Sequence, residues 1–270
     1  MKIFPFRLFH CLISISKKTG TKWIASAICG FIIVLYLVLT LSAPIREYKT
    51  LSNLAFSDSI FISQLSQYTP EQNSLLKEKA FKEAQLLLAD CDSIGLIINL
   101  HDSIAMLVVN GVTIHNAIIF RYRIDEILQN LEMPVYYKLF SQPQTVIHER
   151  STIVKEPIVV KHAPKDTIEA AKMIYMPDTL EKEPAFISFT FASELKIVIE
   201  QNKRTSGKER RARLAFFCTE FLTDFKANLQ QLFSFNLPQY SPVIKVALEG
   251  DDVRAIYRAL PSETKIGLTF

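Results

Sequence analysis

Apolar and polar positions fall into three regimes along the chain. Trp23 to Ala43 reads WIASAICGFIIVLYLVLTLSA, 21 residues without a charge. At 1.5 Å per residue such a run reaches about 30 Å, the thickness of a bilayer's hydrocarbon core. It predicts a transmembrane helix over 23–43, with Trp23 and Tyr48 as interfacial anchors. Ile3–Ile15 is also apolar, but Pro5 and Arg7 interrupt it and it is too short to span. The second regime, residues 44–92, is helical and predicts a stalk. Thr69-Pro70-Glu71-Gln72 carries an N-cap, a proline at the first helical position and a Gln three residues after the cap. That helix should run to about Ala89.

The third regime, residues 93–270, predicts a mixed-sheet domain. Ile94–Leu100, Ile104–Val109 and Val112–Phe120 are rich in Ile and Val. Asn110-Gly111 is a strong hairpin signal because both residues tolerate positive φ. Pairing across it sets Met106 opposite His115 and Val108 opposite Thr113. Both faces are largely apolar, so the hairpin is expected to be central and covered on both sides. Ile124–Leu131 reads as a short helix, Val135–Phe140 and Thr145–His162 as extended, and Asp166–Met173 as one or two helical turns. Prolines 164, 177 and 184 punctuate a polar connector, which marks a boundary inside the domain near 164–184. Ile187–Ile199 alternates as one long half-exposed strand or a tight hairpin. Residues 209–234 form a long amphipathic helix, whose Leu214, Phe217, Cys218, Phe221, Phe225, Leu229, Leu232 and Phe233 recur every three or four positions and are expected in the core. A strand Val243–Leu248, a helix Val253–Leu260 and a strand Lys265–Phe270 close the chain. The fold class is α+β.

Charge adds a direction. Five cations (Lys2, Arg7, Lys17, Lys18, Lys22) and no acid lie in residues 1–43, which leaves residues 44–270 at −1 out of the chain's +4. The near-neutral body argues against nucleic acid as a partner. By the positive-inside rule, residues 1–22 form a cytoplasmic basic tail and the body is extracytoplasmic, which places the protein in the cell inner membrane. A cleaved signal peptide is the alternative, but its apolar core is shorter and Pro44 would sit at the cleavage site. Hydrophobic residues make up 49% of the chain and charged residues 21%, a composition that excludes a disordered chain. Seven glycines leave little room for a phosphate-cradling loop.

Candidate chemistry is sparse. Cys91 and Cys218 can form one disulfide in an oxidising compartment, or remain two buried thiols. No Cys-x-x-Cys or other metal-ligand spacing occurs, and no cofactor motif. His101, followed by Asp102, and His115 lie close in the hairpin and can form a pocket with Asp251; otherwise they fill a sheet face and cap a strand. Glu249, Asp251 and Asp252 suit either acid–base work on a glycan or capping of the last helix. The basic run Lys203, Arg204, Lys208, Arg210, Arg211 and Arg213 sits at a helix N-terminus, where cations meet the unfavourable end of the dipole. It reads as a ligand- or partner-binding surface for anionic lipid, phosphorylated glycan or an acidic protein, or as a solvated loop.

Two pieces of the chain carry a family likeness. The hairpin Ile97–Ile119 and the tail, Val243-Ile244-Lys245-Val246 followed by Asp251–Pro261 and a last strand, resemble the L,D-transpeptidase domain, which cross-links bacterial peptidoglycan. In that family a Ser-x-Gly-Cys run with the nucleophilic Cys enters the strand, and an Arg follows two residues later. Here Ser241-Pro242-Val243 stands at the Gly-Cys position and Lys245 at the Arg position. The family's upstream His-Gly has no match within Phe221–Phe235. The likeness covers about 50 of the 270 residues. It implies a non-catalytic relative, because thiolate acyl transfer needs a nucleophile beside a base. The expected function is a non-catalytic single-pass envelope protein that presents an α+β domain to other envelope proteins or to peptidoglycan. The alternative is a peptidoglycan- or glycan-acting enzyme related to that family.

Overall fold

The computed structural model describes residues 19–56, 69–155, 183–202, 207–234 and 236–270. They divide into two compact units: the described part of Met1–Glu47 with Lys226–Tyr240, and Tyr48–Phe225 with Ser241–Phe270. Lys203, Arg204, the Asp166–Met173 helix and nearly all of the 164–184 boundary lie outside the described residues.

The apolar run of the first unit is part of one 38-residue helix, α1 (Thr19–Phe56, of which Tyr48–Phe56 belongs to the second unit), which continues through Pro44. Pro44 has no N–H to give to the preceding turn. Beside it, Ser42 Oγ and Arg46 Nη2 both donate to the carbonyl of Leu39, at 2.9 and 3.1 Å, and Arg46 Nη2 also donates to Pro238 O at 3.1 Å. Ala43 is buried. The end of the run is therefore covered by the chain itself and flows into a charged segment. Among the described residues no helix is long and apolar enough to cross a membrane. This corrects the expected transmembrane helix, the single-pass anchoring, the membrane as a partner and the inner-membrane placement.

The second unit is α+β, as its element order shows. It contains α2 (Pro70–Ala89), β1 (Gly95–Asn99), β2 (Ile104–Val109), β3 (Val112–Ile118), β4 (Arg121–Ile124), α3 (Glu126–Gln129) and α4 (Met133–Phe140). There follow β5 (Gln144–Ser151), β6 (Phe186–Phe191), β7 (Lys196–Gln201), α5 (Gly207–Phe233, which runs on into the first unit), β8 (Val243–Leu248), α6 (Gly250–Ala259) and β9 (Lys265–Thr269). The strands form one mixed sheet in the order β3-β2-β1-β9-β5-β6-β7-β8-β4. The pairs β1–β9 and β7–β8 are parallel and the others antiparallel.

The two ends of that order meet in the chain. Only Ile119 and Phe120 separate β3 from β4. Ile119 N donates to Ser103 O beside β2, and Phe120 N donates to Ala247 O on β8, both at 2.9 Å. One extended segment thus leaves one edge strand and continues as the other. β5 makes a second handover: Gln144 and Thr145 pair with β9, and Val146–Ser151 pair with β6 across a register shift.

Alternation along the strands sends Leu96, Ile98, Ile187, Phe189, Phe191, Ile197, Ile199, Ile244, Val246, Ile266 and Leu268 into one core. Val253, Ile256 and Tyr257 of α6 and Tyr136 and Phe140 of α4 complete it. On the other face of β1, α2 packs Phe81 and Leu88 on Ile97 and Val108. Glycine makes that approach feasible: a Cβ on Gly95 or Gly267 would stand 2.9 or 3.1 Å from the Leu88 methyls. The capping box at Thr69 and Gln72 forms as expected.

Several expectations are corrected here. Asn110 and Gly111 do make the turn, with φ of 49° and 77°. A bulge between Leu107 and Val108, however, places Leu107, not Met106, opposite His115. β3 is not central: Val112, Ile114 and Ile118 are exposed. Val135–Phe140 is helical, with Pro134 in the first turn. Helical spacing brings Tyr136 and Phe140 together against Phe270, with ring centroids 4.9 to 5.2 Å apart. Ile187–Ile199 is a hairpin turning at Glu194 (φ 64°), and β7 is buried throughout rather than half-exposed.

Burial raises the Tyr136 hydroxyl above its ordinary pKa of 10.0, against smaller lowering effects from Thr269 and Phe270. The folded chain then keeps a proton that the unfolded chain releases. This stabilisation is complete below pH 10 and is lost as pH rises through the higher folded value. Urea midpoints measured from about pH 8 to about pH 11.5 should fall on the alkaline side. Tyr136→Phe should flatten that fall and cost about 1 kcal/mol at about pH 8 through the lost hydroxyl bonds.

Candidate functional site

The residues singled out in the sequence separate into three places. His101 is exposed beside Asp102, with Nδ1 3.2 Å from Oδ1. Asp102 is held by Asn99, whose Nδ2 donates to Oδ2 at 2.7 Å while Asp102 N donates to Asn99 Oδ1 at 3.0 Å. This arrangement fastens the β1–β2 turn. His115 meets a carboxylate elsewhere: Nε2 lies 3.0 Å from Asp252 Oδ1, which ties β3 to the start of α6. Asp251 instead accepts from Arg254 Nη2 at 2.7 Å. His101, His115 and Asp251 thus have three different partners, and the acid paired with His115 is Asp252, not Asp251.

A cleft of about 260 Å³ opens at the start of α6, lined by Phe120, Gln201, Asn202, Glu209, Glu249, Gly250, Asp251 and Arg254. It is smaller than ordinary ligand pockets. Arg254 is committed within it, since Nη1 also donates to Glu183 O at 2.6 Å. Gln201 is likewise committed, its Oε1 accepting from Ala185 N at 3.0 Å. Among the described residues no group of three or more His, Cys, Asp or Glu is placed to hold a metal ion.

The most unusual arrangement lies around α5. Its sheet-facing side carries ions. Lys196, at the start of β7 and 8% exposed, donates from Nζ to Glu220 Oε2 at 3.3 Å and to Asp224 Oδ2 at 2.9 Å. Arg150 Nη1 reaches Glu220 Oε1 at 2.8 Å, and Ser188 Oγ donates to Glu220 Oε2 at 3.2 Å. Four residues along the same strand, Glu200, also buried, accepts from Arg213 Nε at 3.0 Å and Arg121 Nη2 at 3.2 Å. Apolar contact on this side is confined to the N-terminal half. There Phe216 stacks on Phe186, and Arg213 and Lys245 lie over the Phe217 ring.

The side of α5 turned away from the sheet is apolar. Leu214 and Leu222 are exposed, and Phe221, 68% exposed, stacks on Phe225 with ring centroids 6.2 Å apart. Cys218, a free thiol, lies exposed in the same stripe. Cys91 is also free and accepts from Lys265 Nζ at 3.2 Å. Of the two alternatives the sequence offered, both thiols are free, but Cys91 is half-buried and Cys218 exposed rather than buried. Of the phenylalanines expected in the core, Phe217 is half-buried and packs with Phe186, Val198 and Phe216, whereas Phe221, Phe225 and Phe233 are exposed; Phe216, not among them, is buried. Of the basic run, Lys208, Arg210 and Arg211 are exposed on the opening turns of α5, whereas Arg213 is committed to Glu200.

Sequence reasoning missed this inversion. The signal was present: Lys196 and Glu200 interrupt an apolar strand on one face, while Glu220 and Asp224 lie four apart on the opposite side of the helix from Leu214, Cys218 and Leu222. No family model, curated protein or solved structure matches the chain.

Removing one member of a buried ion pair strands its partner. Lys196→Ala should lower stability by about 3 kcal/mol, the low end for such losses, because Glu220 keeps Arg150 and Asp224 reaches water. Leu222→Ser on the outward face should stay within about 0.5 kcal/mol. Urea denaturation of the two variants checks both.

Proposed function

We propose that this α+β domain is a non-catalytic interaction module, and that the outward face of α5 is where it docks a protein partner. The supporting observation is the inverted helix. Leu214, Cys218, Phe221 and Leu222 are held toward solvent while Glu220 and Arg213, with Asp224 at the rim, bond to charged groups of the sheet. A helix normally directs its apolar stripe to its own core, and apolar surface left outside marks an interaction site. Arg210 and Arg211 give the N-terminal end of the stripe a positive rim, which suits a partner with acidic groups at that end.

The paired carboxylates do not favour catalysis over binding. His115–Asp252 joins a strand to a helix, and Asp251 is bridged to Arg254. The likeness to L,D-transpeptidase domains supports the same non-catalytic role. Pro242 and Val243 stand where the nucleophile would be, and Lys245 Nζ lies 5.1 Å from the Phe217 ring centroid.

A photo-crosslinking amino acid placed at Leu222 in the full chain, expressed in its own cells, tests the proposal. A discrete protein adduct is expected, lost when Phe221→Asp is added, and absent when the label sits at Glu263 on the turn before β9. Equal labelling from both positions, or no adduct from Leu222, would overturn it.

A further inference from the structure

The α1 helix carries a second outward apolar stripe, independent of α5. Phe31, Val34, Val38, Leu41 and Ile45 are each between 57% and 75% exposed. Their spacings are 3, 4, 3 and 4, the heptad alternation of a helix seam. The opposite side of the same helix is different: Tyr36, Leu39 and Thr40 are half-buried, Ala43 is buried, and Arg46 reaches Pro238 O. One side of α1 is thus engaged by its own chain and the other is left open.

We propose that this open stripe is a seam for a second copy of the chain, pairing α1 with α1 in parallel. The residue types select that occupant. With Phe31, Val38 and Ile45 at the a positions and Val34 and Leu41 at d, the stripe has β-branched residues at a and Leu at d around Val38–Ile45. That choice favours parallel two-stranded association. In the sequence the register extends back through Ala27 at d and Ile24 at a. No charge lies between Trp23 and Ala43, so two identical stripes meet without like-charge contacts along the seam and offer no ion to select a different partner. An identical stripe is self-complementary about a two-fold axis. The five side chains expose roughly 100 Å² each, so pairing would bury on the order of 1,000 Å² in all, the lower bound of a specific interface.

Sedimentation equilibrium of the full chain in detergent-free buffer provides the test. The expected result is a concentration-dependent species of twice the 30.8 kDa chain mass, converted to monomer by V38E/L41E. Because that double variant can perturb folding, Val38→Cys under mild oxidation provides a second reading. Residues at a face their counterparts in a parallel pair, so covalent dimer should form through the introduced thiol, as peptide mapping would show. A monomer at all concentrations would overturn the proposal, as would a dimer indifferent to V38E/L41E, or one in which Val38→Cys fails to cross-link. A monomer that floats with phosphatidylcholine–phosphatidylglycerol vesicles in a Leu41-dependent way would assign the stripe to lipid and overturn it equally.

Discussion

Lys196 opens a strand that is buried along its whole length, and the two carboxylates of α5 that surround it decide which way that helix faces. A buried ammonium without partners is far costlier than any single apolar contact. Glu220 and Asp224 must therefore point down, and Arg150 and Ser188 complete the shell around Glu220. Since Glu220 and Asp224 are four residues apart on the same side of α5, the stripe of Leu214, Cys218 and Leu222 is carried to the other side. Glu200 with Arg213 and Arg121 repeats the constraint four residues further along β7. The ion pairs are weak evidence of stability, because apolar replacements often do as well. They are strong evidence of orientation, since turning the helix over would break all of them together.

The sheet holds this arrangement in register. β7 is paired on both sides, by β6 and β8, while β5 passes from β9 to β6 and the Ile119–Phe120 crossing carries β3 into β4. The core beneath is continuous from β1 to α6, and Tyr136, Phe140 and Phe270 lock the last residue of the chain against α4. A rigid sheet under an inverted helix suits a docking surface, where preorganisation lowers the entropy lost on binding.

Much of this fold was legible in the residues. Thr69 to Gln72, Asn110-Gly111 and Val243–Leu248 each carry a local signal that no tertiary contact overrides, and the strands and helices they predict are present. The errors arose where pattern alone leaves a face undetermined. Val135–Phe140 has the composition of a strand, but Pro134 and the docking of Tyr136 and Phe140 on Phe270 make it a helix. The bulge at Leu107 slipped the hairpin register by one residue. The uncharged 23–43 run suggested a span, yet it is part of a longer helix, and no helix among the described residues is long and apolar enough to cross a membrane. Hydrophobic periodicity in 209–234 located α5 but misplaced Leu214, Cys218, Phe221, Phe225 and Phe233, which are exposed, because periodicity identifies an apolar side without saying what lies against it. Only the charges on β7 could have told the two sides apart.

The orientation of α5 can be measured through Cys218. In a variant where Cys11, Cys29 and Cys91 are serine, maleimide labelling of the native chain reads the exposure of that one thiol. An outward apolar stripe predicts reaction within about tenfold of the urea-unfolded chain, as for other exposed thiols. Protection by several orders of magnitude would mean that the stripe faces the core, and would contradict both the inverted helix and the docking face built on it.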